Sequence, residues 1–295
     1  MECVPNFSEG RDPGKVAAIR EAIASTGVLI LKSEMDPDHH RSVITFAGGP
    51  HAVVEAAFRG IETACRIIDL AKHSGVHPRI GAADVVPLIP VEGVTIEKCV
   101  QLARSLGARV WSELGVPVYF YEAAANQPER AALENVRRGG FENPKMTPDL
   151  GGLPLHPAAG ACIIGARKFL IAFNINLTTA DVGIAKTIAR KIRASSGGMP
   201  YVKALGLPLA SRNLAQVSMN LTDFEQTPLH RVFERVRSEA GRLGVEIAGS
   251  EIIGLVPRKA LEMAAAHYLY IESFHSAQVF ENRLLEALQW SEETT

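Results

Sequence analysis

The stretch HSGVHPRIGAADVVPLIP, residues 73–90, sets two imidazoles, a guanidinium and a carboxylate just ahead of an apolar run. Such a set suits chemistry that needs a proton shuttle beside an anion clamp. His77 precedes Pro78, which disfavours helical backbone and puts the imidazole on an extended stem, and Gly75 suits a left-handed cap on a preceding helix. Imidazole titrates near neutrality, so His77 can take up and return a proton within one turnover. Arg79 offers a planar fork that matches a carboxylate, and Asp84 opens the run VVPLIP. The plainer reading of His77 is a loop histidine bonded to backbone; Arg79 and Asp84 beside it favour catalysis. His73 and His77 are four apart, a spacing that on one helix presents two ligands to a metal ion. Gly75 and Pro78 oppose a helix there and no HExxH glutamate is present, so no metal is expected.

Two further segments carry candidate groups. EMDPDHHRSV, residues 34–43, clusters Asp36, Asp38, His39, His40 and Arg41 ahead of a strand. It reads either as a polar turn shaped by Pro37 and its aspartates or as a capture site in which Arg41 grips a carboxylate. In PDLGGLPLHPAAGACIIGARK, Gly151, Gly152 and Gly160 surround His156, and glycines let backbone approach a flat ligand closely. No GxGxxG, Walker or GxSxG pattern occurs, which leaves nucleotide binding and a serine-hydrolase elbow without support.

The elements that must position these groups alternate between strand and helix. GVLIL, SVITF (42–46), DVVPLIP and VPVYFY read as strands, and residues 14–25, 51 to about 72 and 94–107 read as helices, the second from the spacing of Val53, Ala57, Ile61, Ala64 and Ile68. Residues 126–160 are rich in Pro, Gly and charge, so beyond a short helix near 128–138 they read as a long loop, a type that is often functional. FLIAFNINL and AQVSMNLTDF alternate cleanly, each followed by a helix, near 180–194 and 228–242. The polar positions Asn174, Asn176, Ser218 and Asn220 then share a sheet face that is either a solvated surface or the lining of a groove. The fold expected is α/β, two similar subdomains, each a β-sheet with helices packed on one face, with a groove between them.

Charge and composition exclude several functions. With 31 basic and 32 acidic residues the net charge is -1, so the positive field that nucleic-acid binding requires is missing. The N-terminus MECVPNFSEGR has no signal pattern, and the apolar stretch GACIIGARKFLIAF is broken by Arg167 and Lys168. A cytoplasmic protein with no membrane or nucleic-acid partner is expected. Cys3, Cys65, Cys99 and Cys162 are scattered without CxxC spacing, which fits reduced thiols better than disulfides or a zinc knuckle.

Seven blocks in order carry a resemblance: ECVPNFSEG, DPDHHRSVITF, HPRIGAADVVPLIPV, LGVPVY, GARKFLIAFNINL, NLAQVSMNLTDFEQTPLH and IIGLVPRKAL. By these, nearly end to end, the chain resembles the formiminotransferase domain family, the glutamate formimidoyltransferases that act on folate in histidine degradation. The resemblance implies two α/β subdomains, 1–168 and 169–295, with the active site in a groove or tunnel between them. It implies a catalytic histidine at His77 and a folate-binding loop over Gly151, Gly152, Leu153, Pro154, Leu155, His156, Pro157, Ala158, Ala159 and Gly160. The implied reaction moves the formimino group of N-formimino-L-glutamate to N5 of tetrahydrofolate, a co-substrate, and releases glutamate without a metal. Within that reading Arg79 and Arg41 are candidate carboxylate clamps, Asp84 or Glu34 candidate orienters of His77, and His39, Asn174 and Asn176 candidate substrate contacts. Formyl transfer between 5-formyltetrahydrofolate and glutamate at the same site, or folate binding without turnover, remain open alternatives. Many members have Asn where this chain has His40, so hydrogen bonding at that position is expected to differ. Vertebrate members add a cyclodeaminase domain; at 295 residues a single-activity form is expected, and the family suggests a homodimer.

Overall fold

The computed structural model describes residues 1–74 and 78–285. The chain divides after Lys168 into two compact units, Met1–Lys168 and Phe169–Thr295, and each has a core of its own.

In the first unit β1 (Glu2–Cys3) and β2 (Asn6–Phe7) act as one strand interrupted at Val4 and Pro5, since both pair antiparallel with the same two neighbours. Asp12 caps α1 (Pro13–Ala24) by accepting from the amides of Gly14 and Lys15, with Pro13 in the first turn where its missing N–H costs nothing. The hairpin of β3 (Leu29–Asp36) and β4 (Arg41–Ala47) leads into α2 (Pro50–Ile67), which buries Val53, Ala57, Ile61 and Ala64 on one stripe. β5 (Ala83–Ile89) is buried along its whole length. α3 (Ile96–Leu114), capped by Thr95 and closed by left-handed Gly115, leads to β6 (Val118–Glu122); the short α4 (Leu133–Val136) and β7 (Cys162–Ala166) follow. Beyond the β3 edge and β4, the sheet runs β1/β2, β5, β7, β6, with the last three parallel.

The second unit consists of β8 (Ile171–Leu177), α5 (Val182–Ile192), β9 (Val202–Leu209), β10 (Leu214–Leu221), α6 (Leu229–Arg242), β11 (Ile247–Ile253) and α7 (Arg258–Tyr268). Its sheet is antiparallel in the order β11-β8-β10-β9. The first unit contains the same plan: β2, α1, β3, β4, α2 and β5, with strand order β5-β2-β4-β3. The two subdomains are therefore similar in topology, each a split βαβ arrangement with helices on one face, and the first is extended by α3, β6 and β7. No helix among the described residues is long and apolar enough to cross a membrane.

Three differences from the sequence expectation have physical causes. The helix expected to reach residue 72 stops at Ile67, because Ile68 turns extended and the Asp69 carboxylate caps a separate 3-10 turn, Leu70–Lys72. β9 shows no readable alternation, because its inward positions between Val202 and Pro208 are the small Ala204 and Gly206, while Leu205 and Leu207 point outward. Gly206 is required: a Cβ there would stand 2.2 Å from the Lys186 amide of α5. The long segment 126–160 is not loose; Leu133, Val136, Phe141, Met146 and Leu155 pack on Val85, Tyr119, Tyr121 and Ile163 and roof the sheet face that the helices leave open. All four cysteines are free thiols, and burial raises those of Cys3 and Cys162 well above their ordinary range.

Candidate functional site

Gly75, Val76 and His77 lie outside the described residues, but both stems of the segment that carries them are described. On the leading stem, His73 Nε2 donates to the His40 carbonyl (3.0 Å), and the Ser74 carbonyl accepts from His40 Nδ1 (2.9 Å). On the trailing stem, Arg79 Nη2 donates back to the His73 carbonyl (3.0 Å) and to Glu142 Oε1 (2.8 Å), so one guanidinium ties the two stems together. Next in sequence, the Ile80 and Gly81 amides donate to Asp84 Oδ1 (2.7 and 3.3 Å), while Asp84 Oδ2 pairs with Arg137. Ser8 completes the set, its hydroxyl on the Gly81 carbonyl (2.7 Å) and its amide on Ala82 (2.9 Å). Asp84 is 2 % exposed with both oxygens occupied, so it acts on the backbone beside Arg79.

The glycine-rich loop docks against these same stems. Leu70 donates to the Ala158 carbonyl (2.8 Å), Ala82 to Ala159 (2.9 Å), and Ala161 to Ile80 (2.9 Å). His156 makes the turn rigid by accepting on Nδ1 from the Ala158 and Ala159 amides (3.3 and 2.9 Å). Gly81 and Gly160 face each other because the two backbones come too close for any side chain: a Cβ on Gly81 would lie 1.9 Å from the Ala161 oxygen, and one on Gly160 2.1 Å from the Ile80 oxygen. Gly151, at φ +89°, is closed off by Trp111, whereas Gly152 faces open space and Leu153 is 50 % exposed. The open part of the loop is thus its Gly152–Leu153 tip. Gly81→Ala is expected to destabilise the fold by about 1–3 kcal/mol as an overpacked contact. A thermal-unfolding midpoint equal to that of the parent would show that the junction yields freely.

The hairpin between β3 and β4 supplies the remaining charges. Asp36 accepts from the Asp38 and His39 amides and pairs with His39 Nδ1 (2.6 Å), and the His39 amide leads the causes that lower its carboxyl below the ordinary range. His39 is therefore engaged on the turn, and Glu34, 46 % exposed, pairs with Lys32 (2.8 Å). For Arg41, burial and the like charge of Arg137 lower the pKa, while Asp84, Asp36 and Glu34 oppose the shift. Two guanidiniums thus share the neighbourhood of one buried carboxylate. Among the described residues no three His, Cys, Asp or Glu side chains are arranged to hold a metal ion.

Glu9, in the block NFSEGR, ties the hairpin to the loop stem. Burial would raise its carboxyl, but the Arg11 and Asp12 amides, the Lys15 ammonium and His40 together lower it from 4.5 to about 2. Because the folded value is the lower one, the stabilisation is complete above the ordinary carboxylate range and disappears as pH falls toward 2. Glu9→Gln should cost about 2–3 kcal/mol at pH 6 and almost nothing near pH 2, read from urea midpoints across that range. An equal cost at both ends would mean that the contribution is not ionic.

In the second unit, Asn174 and Asn176 of β8 lie in register with Ser218 and Gln216 of β10. Gln216 Nε2 donates to Asn176 Oδ1 and to Glu251 Oε1 (both 2.9 Å), and Asn174 Nδ2 donates to the same Glu251 oxygen (3.2 Å). Asn174, Asn176 and Gln216 are buried, Ser218 is half-buried and Asn220 is exposed. Sequence reasoning missed Glu251, because β11 was not read as a strand. It also missed Arg137 and Glu142, whose charged loop has no period to betray a partner, and Glu9, visible only as part of a block.

Comparison with known proteins covers the same ground. Residues 1–167 match the family model described as formiminotransferase domain, N-terminal subdomain, and residues 172–287 match the one described as formiminotransferase domain. The glutamate formimidoyltransferase of Thermoplasma acidophilum is 48% identical over 97% of this chain and 98% of its own length. That of Streptococcus pyogenes serotype M1 is 43% identical, over 97% of this chain and 98% of its own. The formimidoyltransferase-cyclodeaminase of Mus musculus is 44% identical over 96% of this chain but only 56% of its own length.

Proposed function

The chain belongs to the formiminotransferase domain family and carries glutamate formimidoyltransferase activity, and we propose from that premise how its residues move the formimino group from N-formimino-L-glutamate to N5 of tetrahydrofolate. The enzyme is a one-carbon transferase. N5 attacks the formamidinium carbon, a tetrahedral intermediate forms, and the bond from that carbon to the glutamate nitrogen breaks. One group has to take the proton from N5 and deliver it to the departing nitrogen, and His77 is that group.

The observation that carries this reading is the junction of the HPRIG segment with the HPAAG turn, where Ile80 and Ala161, Ala82 and Ala159, and Leu70 and Ala158 are joined by backbone hydrogen bonds. It brings the loop assigned to folate against both stems of the segment that bears His77. Bringing two substrates together is a large part of the barrier, so a rigid seam between their assigned segments suits the reaction. Arg41 is the better carboxylate clamp, since an anion there relieves the repulsion from Arg137. Arg79 can serve by exchanging Glu142, 62 % exposed and hence displaceable, for a substrate carboxylate. Asp84 orients His77 through the Ile80 and Gly81 backbone, and Glu34 contributes only charge near Arg41. Within Gly151–Gly160 the Gly152–Leu153 tip is the part open to folate.

The test incubates purified protein with tetrahydrofolate and formiminoglutamate and follows 5-formiminotetrahydrofolate optically, beside a reaction with 5-formyltetrahydrofolate and glutamate. Turnover in the first is expected to exceed that in the second. Turnover in neither would leave only folate binding.

A further inference from the structure

We propose that His40 is a positioning residue for the transfer reaction: as an imidazolium anchored by Glu9, it holds the Ser74 carbonyl and so fixes the stem from which the chain runs on to His77. The proposal rests on the reading of His77 as the proton shuttle.

Proton counting carries the argument. His40 Nδ1 lies 2.9 Å from the Ser74 carbonyl and Nε2 lies 3.1 Å from Glu9 Oε1. A carbonyl can only accept, and so can an ionised carboxylate, so both ring nitrogens must carry protons. Glu9 stays ionised because the Arg11 and Asp12 amides donate to the same oxygen (2.9 and 3.0 Å) and Lys15 stands 3.3 Å from the other. The pair is shielded from water, with side chains 13% and 5% exposed, so it is screened far less than a surface contact. His73 completes the device. It stacks on His40 with ring centroids 4.1 Å apart and planes 10° from parallel, and its Nε2 donates to the His40 carbonyl. Its buried Nδ1 has no partner among the described residues, as suits a neutral ring; burial and the neighbouring His40 charge both lower its pKa.

The backbone is built to aim this ring. His40 has φ +51°, a left-handed conformation that a histidine adopts at a cost and keeps only when its surroundings impose it. Gly10 lets the block NFSEG press against the hairpin, for a Cβ there would lie 2.3 Å from the Asp36 oxygen and 2.4 Å from the Arg41 nitrogen. The charged and titratable groups around the ring are Glu9 and Lys15 from the first block and α1, and Asp36 and His39 on its own turn. Asp69 and Lys72 line the same cavity of about 240 Å³, and Arg79 acts through His73. When His40 loses a proton, one of its two acceptors loses its hydrogen bond and a bare nitrogen faces an oxygen. Ser74 is then held less firmly as pH rises, while Arg79 still bonds the His73 carbonyl.

The experiment measures kcat and both KM values against pH for the parent, His40→Asn, Glu9→Gln and His77→Ala, with unfolding midpoints for each. The parent should show an alkaline limb in kcat. His40→Asn keeps an N–H for Ser74 but no titrating charge; it should lose that limb, with kcat about 10-fold down at neutral pH, short of the roughly 100-fold that a 1 Å misplacement can cost. Both KM values should change less than about threefold, as expected for an effect on geometry and not on substrate binding. Glu9→Gln should move the limb to lower pH, and this variant carries the test if His40→Asn does not fold. An unchanged alkaline limb in the folded variants overturns the proposal, whatever happens to kcat. His77→Ala separates the two readings: full turnover there removes the catalytic assignment, whereas its loss beside an unaltered limb in His40→Asn removes the positioning role alone.

Discussion

Replacing His77 by alanine is expected to lower kcat by about 10²–10⁴-fold while leaving both substrate dissociation constants within about threefold, because the imidazole is asked to move a proton and not to grip a substrate. The size of the loss follows from the reaction. Without a shuttle, N5 must remain protonated in the tetrahedral intermediate and glutamate must leave as a poor anionic nitrogen, so both halves of the exchange are slowed. Residual turnover should come from approximation, since the seam between the glycine-rich loop and the two stems is made by backbone hydrogen bonds of Leu70, Ala82 and Ala161. The variant should also keep its fold, since the two stems are held by contacts of His40, Arg79, Asp84 and Ser8. Stopped-flow binding and single-turnover transfer check both statements. Undiminished kcat would remove His77 from the chemistry, and loss of binding with kcat preserved would recast it as a substrate contact.

Why these anchors were only partly legible in sequence follows from the kind of order each obeys. FLIAFNINL announced β8 because one face buries large aliphatic side chains and the other carries amides, a period-2 signal that any strand on a core must show. β9 obeys the same geometry yet hides it, since close packing of α5 demands Ala204 and Gly206 on the inner face and leaves leucines outside. β1 and β2 have two residues each and can show no period. In the candidate site, residue type singled out the HPRIG segment and the glycine-rich loop, and in the structure Gly81 and Gly160 serve backbone against backbone at the junction between them. Long-range partners were invisible: His40 reaches Ser74 across 34 positions, and Arg137 reaches Asp84 across 53. No local pattern encodes such a pair, because the partner's identity depends on which strands the sheet has already brought side by side.

Removing Arg137 should therefore have an effect out of proportion to its place in a charged loop. Asp84 is 2 % exposed, and its side chain faces Arg137 with the one oxygen that the Ile80 and Gly81 amides leave free. Arg137→Ala strands that charge, which costs about 3–5 kcal/mol for a buried pair broken on one side. In a unit of this size about 10 °C in the unfolding midpoint should follow. The double replacement Asp84→Asn with Arg137→Met should recover much of the loss, because the expense lies in the uncompensated carboxylate and not in any large net value of the pair. Activity should separate from stability in these variants. The amides of Ile80 and Gly81 can still bond to an asparagine oxygen, so the trailing stem is kept, but Arg41 loses both the repelling charge of Arg137 and the opposing charge of Asp84. If Arg41 is the clamp, KM for the carboxylate substrate changes in the double variant while kcat at saturation is retained. A cost below about 1 kcal/mol for Arg137→Ala would instead class the pair with exposed ion pairs of little consequence, and Asp84 would have to draw its stability from the two backbone amides alone.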